Sequence, residues 1–149
     1  FQFIIEPTRI DQIAKIIARI ESCFLGRFKH SINICGNIRT VDETAPVKIL
    51  QPTNPVFNFP NKITDADFAN WVQERNLYTL TSWDDKYVPL LETHDEGEPE
   101  SKGGMLYTEI GKGKYIYTAY SWFRQLPVGN QGAYRIFANM LSLPKVGKK

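Results

Sequence analysis

The clearest hydrophobic pattern lies in the last third of the chain. Residues 105–110 (MLYTEI) form an apolar run, residues 111–114 (GKGK) a glycine-marked turn, and residues 115–120 (YIYTAY) a second run. Aromatic and β-branched residues suit a pleated surface, and glycine accepts the positive φ of a tight turn, so the pattern predicts a β-hairpin. A polar loop with Pro127 and Gly129 follows, and a helix starts near Gln131. Tyr134, Phe137, Ala138 and Leu141 recur at i, i+3, i+4 and i+7 and predict its buried face. Pro144 and the GKK tail end it.

Upstream, residues 1–5 (FQFII) read as a short strand. Ile10, Ile13, Ala14, Ile17 and Ile20 form a helical stripe after the N-cap Thr8, stopping at Gly26. Residues 28–38 alternate as a strand broken at Gly36, and residues 47–50 form a short apolar run. Pro52, Pro55 and Pro60 require an extended loop over 51–61. Thr64 caps a short helix with Asp67 at the capping-box position and Phe68, Trp71 and Val72 on one face. Residues 77–82 and 87–91 read as strands, and 94–102 (HDEGEPESK) as a charged excursion. Helices alternating with strands, closed by a hairpin, predict one domain with a layered, mixed α/β sheet and an antiparallel edge.

The chain has 149 residues, 42% hydrophobic and 23% charged, which describes an ordinary globular domain with a real core. A net charge of +2 does not argue for nucleic acid, and Lys145, Lys148 and Lys149 belong to a basic tail at 144–149. No apolar run approaches a membrane span. The sequence does not begin with Met, so it reads as a piece of something longer or a processed product. Cys23 and Cys35 permit one disulfide but nothing in their spacing demands it; buried free thiols are the preferred reading.

Four sets of residues carry candidate chemistry. Cys35, His94 and Glu96 offer a nucleophile, a base and an orienter of cysteine-hydrolase type, although Cys35 lacks the flanking glycines of a sharp strand-to-helix turn. His30 and His94 are far apart, and the carboxylates at 84–98 lack cation-loop spacing, so no metal site is expected. Gly111 and Gly113 precede a strand rather than a helix, which makes them a hairpin turn and not a phosphate loop. Arg124, Gln125, Asn130 and Gln131 bring polar groups to a helix N-terminus with unpaired N–H groups, where with Trp122 and Phe123 they could hold an anion or a sugar. The bland alternative is that Arg124 and Gln125 bond loop backbone or Glu74. Trp83, followed by Asp84, and Trp122 stand at strand ends and are the tryptophans expected to be exposed; Trp71 belongs to the core.

The segments DETAPVKIL, NFPNKITDADFANWVQERNLY, SWDDKYVPLLETHDEGEPESKGGMLYTEIGKGKYIYT and SWFRQLPVGNQGAYRIFANML together resemble the C-terminal part of large bacterial PIG-L (LmbE-like) deacetylase-related proteins. That part is similar to class I glutamine amidotransferases and to the ThuA group. The resemblance covers residues 40–143, while 1–39 diverges. It implies a flavodoxin-like, incomplete sheet and an origin beside an N-acetyl-sugar deacetylase domain, with an extracytoplasmic setting. The family's His-Pro-Asp-Asp zinc motif is missing from this sequence. The expectation is therefore a non-catalytic accessory domain without a cofactor, partnered by a deacetylase domain or a glycan, with Trp83, Asp84, Trp122, Arg124, Gln125 and Gln131 as binding residues. The alternatives are a Cys/His hydrolase or amidotransferase-like enzyme, and a structural module that pairs with a second copy of itself through a free sheet edge.

Overall fold

A computed structural model describes residues 2–5, 32–33 and 38–143. The helix expected at 8–23, both cysteines, His30 and the basic tail lie outside the described residues.

The hairpin is the centre of the fold. Strands β7 (Met105–Ile110) and β8 (Gly113–Thr118) pair antiparallel from Met105↔Thr118 to Ile110↔Gly113. Only Gly111 and Lys112 remain in the turn, and Gly111 takes φ +60°, a conformation that costs glycine nothing. Strand β1 (Gln2–Ile5) pairs with β8, and β5 (Val88–Pro89) pairs with β7, giving the order β1-β8-β7-β5. Pro89 cannot donate to a ladder, which suits the outer position of its strand. Two short pairs complete the set: β2 (Ile32–Asn33) with β4 (Ser82–Trp83), and β3 (Lys48–Ile49) with β6 (Leu91–Glu92). Every strand pair among the described residues is antiparallel. The chain is thus a mixed α/β protein with antiparallel sheets and few helices. Of residues 77–82, expected as one strand, only Ser82 lies in a named strand; Leu80 bridges Gly103 singly.

Side chains on a strand alternate between faces, and here both faces of the hairpin are covered. Met105, Tyr107 and Ile116 face the main core, with Trp71, Tyr120, Trp122 and the last helix. Leu106 and Tyr115 face a smaller cluster with Leu80 and Tyr87, against which Trp83 and Tyr117 pack. This explains why residues 105–108 are buried without a break. It also separates two tryptophans: Trp83 lies on one side of the sheet and Trp122 on the other.

Helix α1 (Trp122–Gln125) is a single turn, and α2 (Gln131–Ser142) packs on the main core. The buried face of α2 is Gly132, Ala133, Ile136, Asn139 and Met140; of the expected Tyr134, Phe137, Ala138 and Leu141, Phe137 packs partly buried against the core, while Tyr134 and Leu141 are exposed. Tyr134 is half exposed and donates its hydroxyl to the Leu126 carbonyl. The face is rotated because Gly132 lets the helix approach the Asp67 backbone, where an added Cβ would lie 1.8 Å from the carbonyl oxygen. The Thr64 cap is present: the Asp67 carboxylate accepts from the Thr64 N–H at 2.8 Å, and Arg135 pairs with it at 3.1 Å. The turn it caps is 3₁₀ and spans only Asp65–Phe68. No helix among the described residues is long and apolar enough to cross a membrane.

Candidate ligand-binding cleft

On the Trp83 side of the sheet, three segments enclose a cleft of about 680 Å³. Residues 38–41 form one wall, 80–83 a second, and the excursion 94–102 the third. The excursion leaves and rejoins the body at the bridge Thr93↔Ser101. It turns at Gly97 with φ +82° and a Glu98 N–H to Asp95 carbonyl bond. Its tip is pinned to the first wall by Asp95, whose carboxylate accepts from the N–H groups of Val41 and Asp42, both at 2.9 Å. A carboxylate is well suited to this task because it accepts two backbone donors at once. The first wall is fixed from behind: the Thr40 N–H donates to the fully buried Asn76 side chain, and the Thr79 N–H to the Ile38 carbonyl.

The cleft is lined by Trp83, Thr40, Arg39, His94, Ser101 and Lys102, together with apolar edges from Ile38, Val41 and Leu80. His94 Nδ1 and Ser101 Oγ are shielded from solvent and have no hydrogen-bond partner in the protein. Buried polar atoms are normally paired, and these two unpaired ones belong to residues that line the cleft. Neither bonds to the other, so they do not form a nucleophile–base pair in this geometry. Lys102 lies 3.0 Å from Glu100 and 3.5 Å from the buried Glu92. The hydrogen bond and charge of Glu100 raise the Lys102 ammonium above its usual range, and Lys102 lowers Glu100 in turn. The lining is therefore mixed: one aromatic ring, hydroxyls, an imidazole and charges of both signs. Among the described residues no group of three or more His, Cys, Asp or Glu side chains could hold a metal ion.

The expected site residues do not converge. Trp83 and His94 line the cleft, both partly buried. Asp84 accepts from the Lys86 N–H at 3.0 Å and shapes the turn after β4. Glu96 is exposed on the excursion; its neighbour Asp95 is the carboxylate with a structural task. Cys35, the proposed nucleophile, lies outside the described residues.

The other four expected residues sit across the sheet, where Trp122, Arg124 and Gln125 serve the fold. Trp122 is 2% exposed, meets Trp71 edge-on at 5.3 Å and donates Nε1–H to Thr118 Oγ1. This corrects its expected exposure: the strand end turns inward because α1 begins there. Gln125 is fully buried, and its amide both accepts from the Val72 N–H and donates to the Val72 carbonyl. Arg124 lies 2.8 Å from Glu74. The bland alternative holds for both residues. Gln131 is exposed, but the helix end beside it is closed: Asn130 Oδ1 accepts from the Ala133 N–H while its Nδ2 donates to the carbonyls of Ala69 and Asn70. Asn130 thus caps this terminus.

Sequence reasoning missed Thr40, Arg39, Ser101 and Lys102 as cleft residues. Ser101 and Lys102 were visible only as part of a polar excursion, and nothing local shows that Asp95 folds it back onto 41–42. Comparison with family models, with curated proteins and with solved structures finds no match to this chain.

Proposed function

We propose that this chain is a non-catalytic carbohydrate-binding module whose ligand rests against Trp83. The observation that carries this reading is the cleft itself. It combines an aromatic ring with two shielded polar atoms, His94 Nδ1 and Ser101 Oγ, that lack partners. A sugar has an apolar ring face and hydroxyls at its edge, which suits that combination. The cleft replaces the 122–132 loop as the binding locus.

The accessory role beside an N-acetyl-sugar deacetylase domain rests on the resemblance of residues 40–143 alone. An in-frame His-Pro-Asp-Asp domain encoded upstream of Phe1 would support it, and a start codon immediately upstream would count against it. A flavodoxin-like layer belongs to the same proposal. It needs parallel strand pairs involving residues beyond those described, and an experimental structure of the whole chain tests for them.

Native affinity electrophoresis tests the binding reading. The gels contain chitin-derived, cellulosic, xylan and α-glucan polysaccharides. Retardation on at least one, lost in Trp83→Ala and kept in Trp122→Phe, is expected. Free migration of the wild type on all of them overturns it.

A further inference from the structure

Tyr78 is the most exposed of the large hydrophobic residues described, at 65%. It also has φ +55°, a left-handed conformation rare for any residue but glycine and asparagine. Three hydrogen bonds hold the backbone around it. The Leu77 N–H donates to the Ala119 carbonyl at 3.0 Å and the Thr79 N–H to the Ile38 carbonyl at 3.0 Å. The Tyr117 hydroxyl donates to the Tyr78 carbonyl at 2.8 Å. The backbone is therefore fixed in an unfavourable state while the ring is left in water. Folding gains little from such an arrangement, because the ring buries little surface and the conformation is costly.

The position gives it another use. Ile38, whose carbonyl holds Thr79, is a wall of the Trp83 cleft, and Leu80 and Thr81 continue the same segment along it. Tyr78 stands five positions before Trp83, a span of at most about 18 Å. Tyr78 thus precedes the cleft-lining residues Leu80, Thr81 and Trp83 on one segment, next to the Thr79 N–H that bonds the cleft residue Ile38.

We propose that Tyr78 is a second stacking residue and that the cleft takes an extended glycan chain rather than a single sugar, an inference that rests on the carbohydrate reading of the cleft. One part of the chain packs on Trp83 within the cleft and another crosses the Tyr78 ring outside it. The imposed conformation keeps that ring presented outward.

Calorimetric titration with chitin and cellulose oligosaccharides, each as disaccharide and hexasaccharide, tests it on wild type and Tyr78→Asn. Asparagine accepts the left-handed backbone, so this variant keeps the fold. The wild type is expected to bind a hexasaccharide more tightly than its disaccharide. Tyr78→Asn should lose about tenfold on the hexasaccharide, the size of one well-packed aromatic contact, with the disaccharide unchanged. Its urea midpoint should equal or exceed that of the wild type. Equal hexasaccharide affinity in the two proteins overturns the inference and leaves the carbohydrate reading standing. So does equal weakening on both lengths with a lower midpoint, which marks a structural role. A wild type that binds none of the four probes overturns the inference, and the polysaccharide gels then decide the carbohydrate reading separately.

Discussion

Asn139 shows how much one buried polar side chain can hold. It is fully buried on α2, where Nδ2 donates to the carbonyls of Val56 and Asn61, both at 2.8 Å. Its Oδ1 accepts from the Asn61 N–H at 2.9 Å. Asn139→Ala strands several buried backbone groups and should cost about 3 kcal/mol in urea denaturation. A loss below about 1 kcal/mol would mean that water replaces the amide. Gly132 makes the complementary case. Alanine is the better helix former by about 1 kcal/mol, but its Cβ would collide with the Asp67 carbonyl. Backbone contact outweighs propensity, so Gly132→Ala should lower stability by about 2 kcal/mol in the same assay. These two residues also explain the misread helix face. Periodicity weights Tyr134 and Leu141 as core and passes over glycine and asparagine. The structure buries the small and polar residues because their shape and bonding fit the neighbouring loops.

At the scale of elements, legibility followed the range of the interactions. The hairpin was readable because its signal is local: a period of two, a glycine turn and β-branched residues on both sides. The Thr64 cap was readable for the same reason. The excursion 94–102 was visible as a charged segment, but its fold depends on Asp95 reaching residues more than fifty positions away. Asp95→Ala should release the excursion from the first wall. The Val41 and Asp42 amides would then exchange faster with solvent, with a stability cost of about 1 kcal/mol because the contact is near the surface. Unchanged exchange at both amides would show that other contacts hold the wall. The same variant should weaken any ligand that bridges His94 and residues 39–41.

For the whole molecule, the mixture of helix and strand was legible, whereas the order β1-β8-β7-β5 and the placement of the tryptophans were not. Both depend on which distant segments meet across the sheet, and a pattern of apolar positions does not encode that. The burial of tyrosines gives a global check. Desolvation raises Tyr87, Tyr107, Tyr117 and Tyr120, with Tyr117 pushed up to about 12. Each holds its proton more tightly folded than unfolded. Their contribution is complete below the unfolded value of about 10 and is lost as pH rises through the folded values. Urea midpoints should therefore be level to about pH 10 and fall steeply above it. A midpoint that stays flat to pH 12 would show that the tyrosines are solvated.

The central claim is that ligand sits on the Trp83 side of the sheet and not at the helix end across it. The three indole N–H resonances of Trp71, Trp83 and Trp122 report on both sides at once. Titrating the isotopically labelled protein with an oligosaccharide of whichever polysaccharide retards it should move the Trp83 indole and the His94 and Ser101 amides. The Trp71 and Trp122 indoles should stay in place. Movement of Trp122 and the amides of 123–131 with Trp83 still would contradict the account.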